Sequence, residues 1–127
     1  MEPYLSEIKN VKDRKTFSKF RLSNHPLMIE KGRHRNIDKE LRFCPFCTDK
    51  IEDEIHFLLQ CKNFAVNREL FWGQIKEEIR TRIHSLNDME KFCELMSNPS
   101  IFQETAHFID TTLSVRNFLL EHHKNNQ

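Results

Sequence analysis

The side chains with the most chemistry in this chain lie between Cys44 and Cys61, CPFCTDKIEDEIHFLLQC, where three cysteines and one histidine fall in the order C-x2-C-x8-H-x4-C. Three thiols and one imidazole at this spacing predict a closed tetrahedral shell, one structural Zn2+ held by Cys44, Cys47, His56 and Cys61. Cys44 and Cys47 have only Pro45 and Phe46 between them, which suits a tight turn whose two sulfurs converge on one ion. His56 and Cys61 belong to DEIHFLLQC, whose acidic start fits the first turn of a helix. On an ideal helix, residues five apart are about 140° from one another, so Cys61 must sit where the helix ends or unwinds. Four protein ligands leave no position for a substrate water, and no catalysis is expected at the metal.

Disulfides are the alternative for any four cysteines. Three clustered cysteines beside a ligand-spaced histidine argue against them, as does a start, MEPYLSEIKNVKD, without the apolar core of a secretory signal. The thiols then imply a reducing, intracellular compartment, nuclear or cytoplasmic. Cys93 falls in the run Met89, Phe92, Cys93, Met96, an i, i+3, i+4, i+7 pattern that predicts a small buried hydrophobe. Glu52, Asp53 and Glu54 are adjacent, would point different ways on a helix, and read as a helix N-terminal turn and not as a metal cage.

The elements that must position this cluster are helical. With 2 Gly and 4 Pro in 127 residues there is little punctuation for a many-stranded fold. The expected class is mostly α, a small zinc knuckle joined to a helical bundle with no substantial sheet. The expected organisation is a basic arm and loop over 1–43, the zinc segment over 44–61, and a bundle over 62–127 that forms one compact domain with it. No apolar run is long enough to span a membrane. A first helix is expected over 6–22, capped by Ser6, with Tyr4, Ile8 and Val11 on one face and Phe17 and Phe20 on a shifted stripe. Phe71, Ile75, Ile79, Ile83 and Leu86 form a stripe that predicts one long helix over 63–86, with His84 near its end in a capping position. Asn87 or Ser85 would cap the next short helix. Ser100 would cap the last, whose stripe is Phe102, Ala106, Ile109, Leu113 and Leu120, with Phe108, Val115 and Leu119 widening it. His107 on that helix reads as a packed or surface residue.

The formal net charge of +1 conceals an asymmetry: residues 1–47 carry 11 Lys and Arg against 6 Asp and Glu, and residues 48–127 carry 9 against 13. Arg14, Lys15, Lys19 and Arg21 give the first helix a basic surface, and Lys31, Arg33, His34 and Arg35 crowd beside Gly32, with Arg42 just before the cysteines. These residues are either ordinary solvated surface or contacts for nucleic-acid phosphates. Phe43 and Phe46 could stack on an unpaired base or pack against the helix that carries His56.

Phe20 to Phe71 resembles the region downstream of the reverse transcriptase in non-long-terminal-repeat retrotransposon polyproteins of animals. The resemblance rests on Arg21 to Ser23, Glu30 to Ile37, Arg42 to Cys47, and Glu52 to Cys61, and is silent over residues 72–127. It implies a Cys-Cys-His-Cys zinc segment that helps a reverse transcriptase engage RNA template or target DNA. The chain has neither the polymerase's carboxylate strand nor the endonuclease domain of such polyproteins. Glu7 to Lys9 and Asp13 to Lys15 fall in the Glu-x-Lys-like pattern of a restriction-like nuclease without its partner Asp, and are chance. Three functions follow as expectations. The first is a non-catalytic, zinc-stabilised module that binds RNA or DNA and works with a reverse transcriptase or another protein. The second is a zinc-stabilised protein-interaction domain. The third, a nuclease or hydrolase, lacks the open metal position or carboxylate pair it needs.

Overall fold

α-Helices and short turns of other helical types account for almost all the regular structure, as the scarcity of Gly and Pro predicts. The computed structural model describes residues 8–125, with side chains as far as His122. Six α-helices occur among them: α1 (Val11–Arg21), α2 (Met28–His34), α3 (Ala65–Gln74), α4 (Glu77–His84), α5 (Asp88–Ser97) and α6 (Phe102–Asn125). The only β feature among the described residues is an isolated antiparallel bridge between Phe43 and Ile51. Among the described residues no helix is long and apolar enough to cross a membrane.

The last helix is the centre of the packing: α1, α3 and α5 all lie against α6. Aromatic rings fill the seams. Phe17 of α1 meets Phe102 at 5.4 Å between ring centres, and Phe71 of α3 stacks on Phe108 at 4.5 Å. Phe57, from the segment that carries His56, meets Phe64 edge-on at 5.1 Å and Phe20 at 6.2 Å. The metal segment, the first helix and the bundle therefore share one core. Phe17 and Phe20 pack residues 11–21 into it.

Several local expectations are corrected. Helix α1 starts five residues later than the sequence predicts, because the Asn10 side chain caps it by accepting from the Asp13 N–H at 3.0 Å. Ser6 and Tyr4 lie outside the described residues; Ile8 is buried and Val11 is exposed. The single long helix over 63–86 is two. Ile75 is extended (φ −90°, ψ 138°) and still buried, and Lys76 opens α4 ahead of Glu77 and Glu78. The Arg80 guanidinium donates to the Trp72 carbonyl at 3.1 Å, holding the end of α3 against the start of α4. His84 closes α4 and meets Trp72 edge-on at 4.6 Å.

Asn87 does cap α5, in a reciprocal box with Glu90. Cys93, expected inside, is exposed; the buried face of α5 is Leu95 flanked by Phe92 and Met96. The last helix is entered through a tight turn at Pro99–Ile101 that Asn98 caps, its Oδ1 accepting from the Ser100 N–H, so Ser100 is not the cap. Phe102, Ala106, Phe108 and Ile109 are buried as the stripe on α6 requires. His107 is exposed, with Nδ1 3.3 Å from the buried Asp13 carboxylate, so one chance nuclease-like residue serves as a helix-to-helix contact.

Candidate metal centre

The turn that carries the first two sulfurs is built by backbone hydrogen bonds. Phe43 and Ile51 pair across it, the Cys44 N–H donates to the Lys50 carbonyl at 2.7 Å, and the Thr48 N–H donates to the Cys44 carbonyl at 2.9 Å. Thr48 takes a left-handed conformation (φ 62°) to reverse the chain just after Cys47. The result is a knuckle with Cys44 buried and Cys47 half-exposed.

The other two ligands come from the segment whose geometry an ideal helix would spoil. Asp53 starts it, its Oδ1 accepting from the His56 N–H at 2.8 Å. From His56 to Gln60 the backbone then widens into a π turn, closed by the Cys61 N–H donating to the His56 carbonyl at 2.7 Å. That i→i+5 bond brings the fifth residue over the first. Cys61 itself is extended (φ −64°, ψ 122°), so the helix ends at the ligand. The unwinding that the His56 to Cys61 spacing demands is thus a single wide turn.

These two elements bring Cys44, Cys47, His56 and Cys61 together, with one ligand atom from each lying within 4.8 Å of all the others. The Cys61 sulfur is 4.0 Å from that of Cys44 and 3.7 Å from that of Cys47. Tetrahedral coordination with metal–sulfur bonds of about 2.3 Å requires sulfurs about 3.8 Å apart, so the spacing fits a metal and exceeds a disulfide bond of about 2.05 Å. Both ring nitrogens of buried His56 lack a hydrogen-bond partner, which a ligand bond to one of them would remedy. The four residues fit a bound metal ion.

The protonation of the cluster has the same logic. A hydrogen bond from Cys44 holds the Cys61 thiol down to about 3, helped by His56 and by Asn63, whose side-chain N–H points at the Cys61 sulfur from 3.6 Å. Its neighbours move the other way: the interaction with Cys61 and burial raise Cys44, and burial followed by Cys61 raises Cys47. The nearby Cys61 sulfur likewise raises His56 against the opposing effect of burial. One sulfur is readily anionic, and a metal must displace protons from the others, so affinity falls as pH falls.

Around the ligands stand residues that spacing alone did not single out. Arg68 reaches back from α3 to donate to the carbonyls of Leu58 and Cys61, both at 2.7 Å, and clasps the end of the wide turn. Burial lowers the pKa of this guanidinium. Glu52, fully buried, accepts from Arg116 of α6 at 2.9 and 2.6 Å and from the Met28 N–H at 2.8 Å. Its neighbours diverge as adjacent residues must: Asp53 caps the helix and Glu54 accepts from His25 at 2.9 Å, a bond that lowers the Glu54 pKa. Glu52 and Glu54 tie the segment to other parts of the fold, Asp53 caps its own helix, and the three carboxylates do not form a cage.

The basic residues are distributed over two helices and the loops after them. Lys15, Lys19, Lys31, Arg33, His34 and Arg35 are exposed, and Arg14 is half-buried. Arg33 pairs with Glu30 at 2.8 Å. Arg21 is exposed along its length but donates to the Met96 carbonyl and lies over the Phe17 ring. Arg42 faces inward. Its guanidinium donates to the carbonyls of Ile37 and Ile29, both at 2.9 Å, and so staples α2 to the knuckle. Phe46 packs edge-on to Phe64 at 6.0 Å, whereas Phe43 stays partly exposed.

Gly32 lets the Arg42 stem pass: a Cβ there would stand 2.5 Å from Arg42 Cγ and 2.8 Å from Cδ. Ala would gain about 1 kcal/mol of helix propensity, but the stem is pinned at its far end and the overlap should cost about 1–3 kcal/mol. Gly32→Ala is expected to lower the urea midpoint, and Gly32→Ala with Arg42→Ala to remove the clash; equal or higher stability of the single variant would mean that the stem gives way.

A cleft of about 240 Å3 opens beside the cluster, lined by Cys47, Asp49, Lys50, His56, Gln60 and Lys62. No family model, curated protein or solved structure matches the chain.

Proposed function

We propose that the chain is a non-catalytic, zinc-stabilised nucleic-acid-binding module, similar in role to the segment that follows the reverse transcriptase in retrotransposon polyproteins. Three thiolates and an imidazole favour Zn2+ over harder cations, and a shell closed by four side chains gives it a structural task. The observation that carries the binding half of the proposal is the one-sided charge of the surface ahead of the knuckle. Between Ile8 and Cys47 the exposed cations include Lys15, Lys19, Lys31, Arg33 and Arg35, and the exposed acids are Asp38 and Glu40 alone. Arg42 holds α2 on the knuckle, so a metal that fixes the knuckle also fixes the position of Lys31, Arg33 and Arg35. A phosphate backbone, RNA or DNA, is the partner such a surface takes, with Phe43, the more exposed of the two rings at the knuckle, open to an unpaired base.

The test is binding of the metal-loaded chain to a hairpin RNA and to a duplex DNA across a salt series. Log affinity should fall linearly with log salt, and Lys31→Glu with Arg33→Glu and Arg35→Glu should weaken binding and reduce the slope by about 2 to 3. No binding of either ligand at low salt by a folded, metal-loaded chain would end this reading. One observation favours a protein-interaction domain instead. Val66 and Leu70, one turn apart on α3, are 75% and 64% exposed and form an apolar strip with Ala65.

A further inference from the structure

The four ligands differ sharply in exposure, and the difference falls on one sulfur. Cys44 and Cys61 are sealed at 1% and 0% exposure, whereas Cys47 is half-exposed and lines the cleft that it shares with Lys50 and Lys62. The Cys61 sulfur lies 3.7 Å from that of Cys47 and is shielded from solvent. An accessible sulfur at the surface with a second sulfur in contact behind it is the arrangement of a pair that oxidises in two steps.

We propose that Cys47 is an oxidation site, whose sulfur attacks hydrogen peroxide and is then resolved by Cys61, so that the cluster lets go of its metal under oxidising conditions. This rests on the reading of the cluster as a metal site. In the first step the Cys47 sulfur attacks one peroxide oxygen, the S–O bond forms, the O–O bond breaks, and hydroxide leaves beside the Lys50 and Lys62 ammonium groups. In the second, the Cys61 sulfur attacks the Cys47 sulfur, the S–S bond forms, the S–O bond breaks, and a second hydroxide leaves. Two thiolates lose two electrons in all, and hydrogen peroxide takes them to become two hydroxides. Two of the four ligands are then joined to each other, and the remaining pair, Cys44 and His56, cannot close a tetrahedral shell. A thiol reductant reverses the second product and restores the donors.

Cys93 supplies an internal comparison, because it is exposed and stands outside the cluster. The experiment is to measure the metal content of the purified chain, add hydrogen peroxide, follow metal release with a chromogenic chelator, and map the thiols by mass spectrometry. Trypsin separates Phe43–Lys50 from Ile51–Lys62, and chymotrypsin cuts after Phe46, so a Cys47–Cys61 link is distinguishable from links to Cys44. The expected result is loss of the metal together with a Cys47–Cys61 disulfide, unchanged release in Cys93→Ser, and recovery with reductant and fresh metal. Cys47→His, which keeps a donor atom, should hold its metal under the same peroxide; the mapping of the unaltered chain stands whether or not this variant loads. Oxidation of Cys93 alone with the metal retained, a first link through Cys44, or release that disappears in Cys93→Ser would each overturn the proposal. A purified chain that neither contains nor takes up metal fails earlier, at the metal analysis, and ends the metal reading itself.

Discussion

Cys61→Ala is expected to unfold the chain, not merely to weaken it. Cys61 touches both other sulfurs of the cluster, ends the turn that carries His56, and presents its carbonyl to Arg68. Phe57 and Leu58 lie inside that turn at zero exposure and pack in the core shared with α1 and the bundle. Losing the site therefore removes the constraint that holds core residues in place. Structural zinc contributes on the order of 10–16 kcal/mol of apparent binding free energy near pH 7, against a total stability of about 5–15 kcal/mol for an ordinary domain. Chelation of the intact chain should reproduce the effect, with loss of helical circular dichroism, and Cys93→Ala should leave it untouched. Full helicity and an unchanged melting curve in either Cys61→Ala or His56→Ala would rule out a structural metal.

Arg116→Leu is the second large effect. Its guanidinium is 2% exposed and meets a Glu52 carboxylate that is wholly buried. The substitution strands that carboxylate, which also accepts from the Met28 N–H, and breaking such a pair costs about 3–5 kcal/mol. The comparison that gives the number meaning is the double variant Glu52→Leu with Arg116→Leu. Removing both charges should restore much of the loss, because the penalty comes chiefly from the uncompensated charge and not from the absence of the pair. Urea denaturation of the two variants measures it. A cost below about 1 kcal/mol in Arg116→Leu would mean that water reaches Glu52 and screens it as at a surface. The effect should also reach the metal, since Glu52 follows directly on the Phe43–Ile51 bridge that closes the knuckle.

The quartet of candidate ligands was legible because coordination chemistry leaves a mark in spacing. Cys44, Cys47, His56 and Cys61 are found together as the pattern requires, and the mostly helical class follows from the same scarcity of Gly and Pro that predicted it. What was illegible has identifiable causes. The break at Ile75 hides in an apolar stripe with a four-residue period, because an extended Ile75 still reaches the core. The signal that was present is Lys76-Glu77-Glu78, a new acidic first turn. Cys93 was placed inside by a pattern that includes the partly buried Phe92 and Met96, but the buried position between those two is Leu95. The Glu52–Arg116 pair could not be found at all, since its partners are 64 residues apart and an arginine on an amphipathic helix normally reads as surface. Arg42, assigned to a ligand on charge alone, is held by two internal carbonyls, and nothing local in the sequence distinguishes it from Arg35.

The wide turn between His56 and Cys61 has a consequence for how such sites tolerate changes of length. An α-helical turn stacks the fourth residue over the first, and a π turn stacks the fifth, so H-x3-C and H-x4-C describe one arrangement of donor atoms in space. The extra residue is slack that the backbone takes up locally, without moving Phe57 or Leu58 out of the core or Cys61 away from its partners. Insertion and deletion, usually fatal inside a helix that carries ligands, are here exchanged for a change in how one turn is closed.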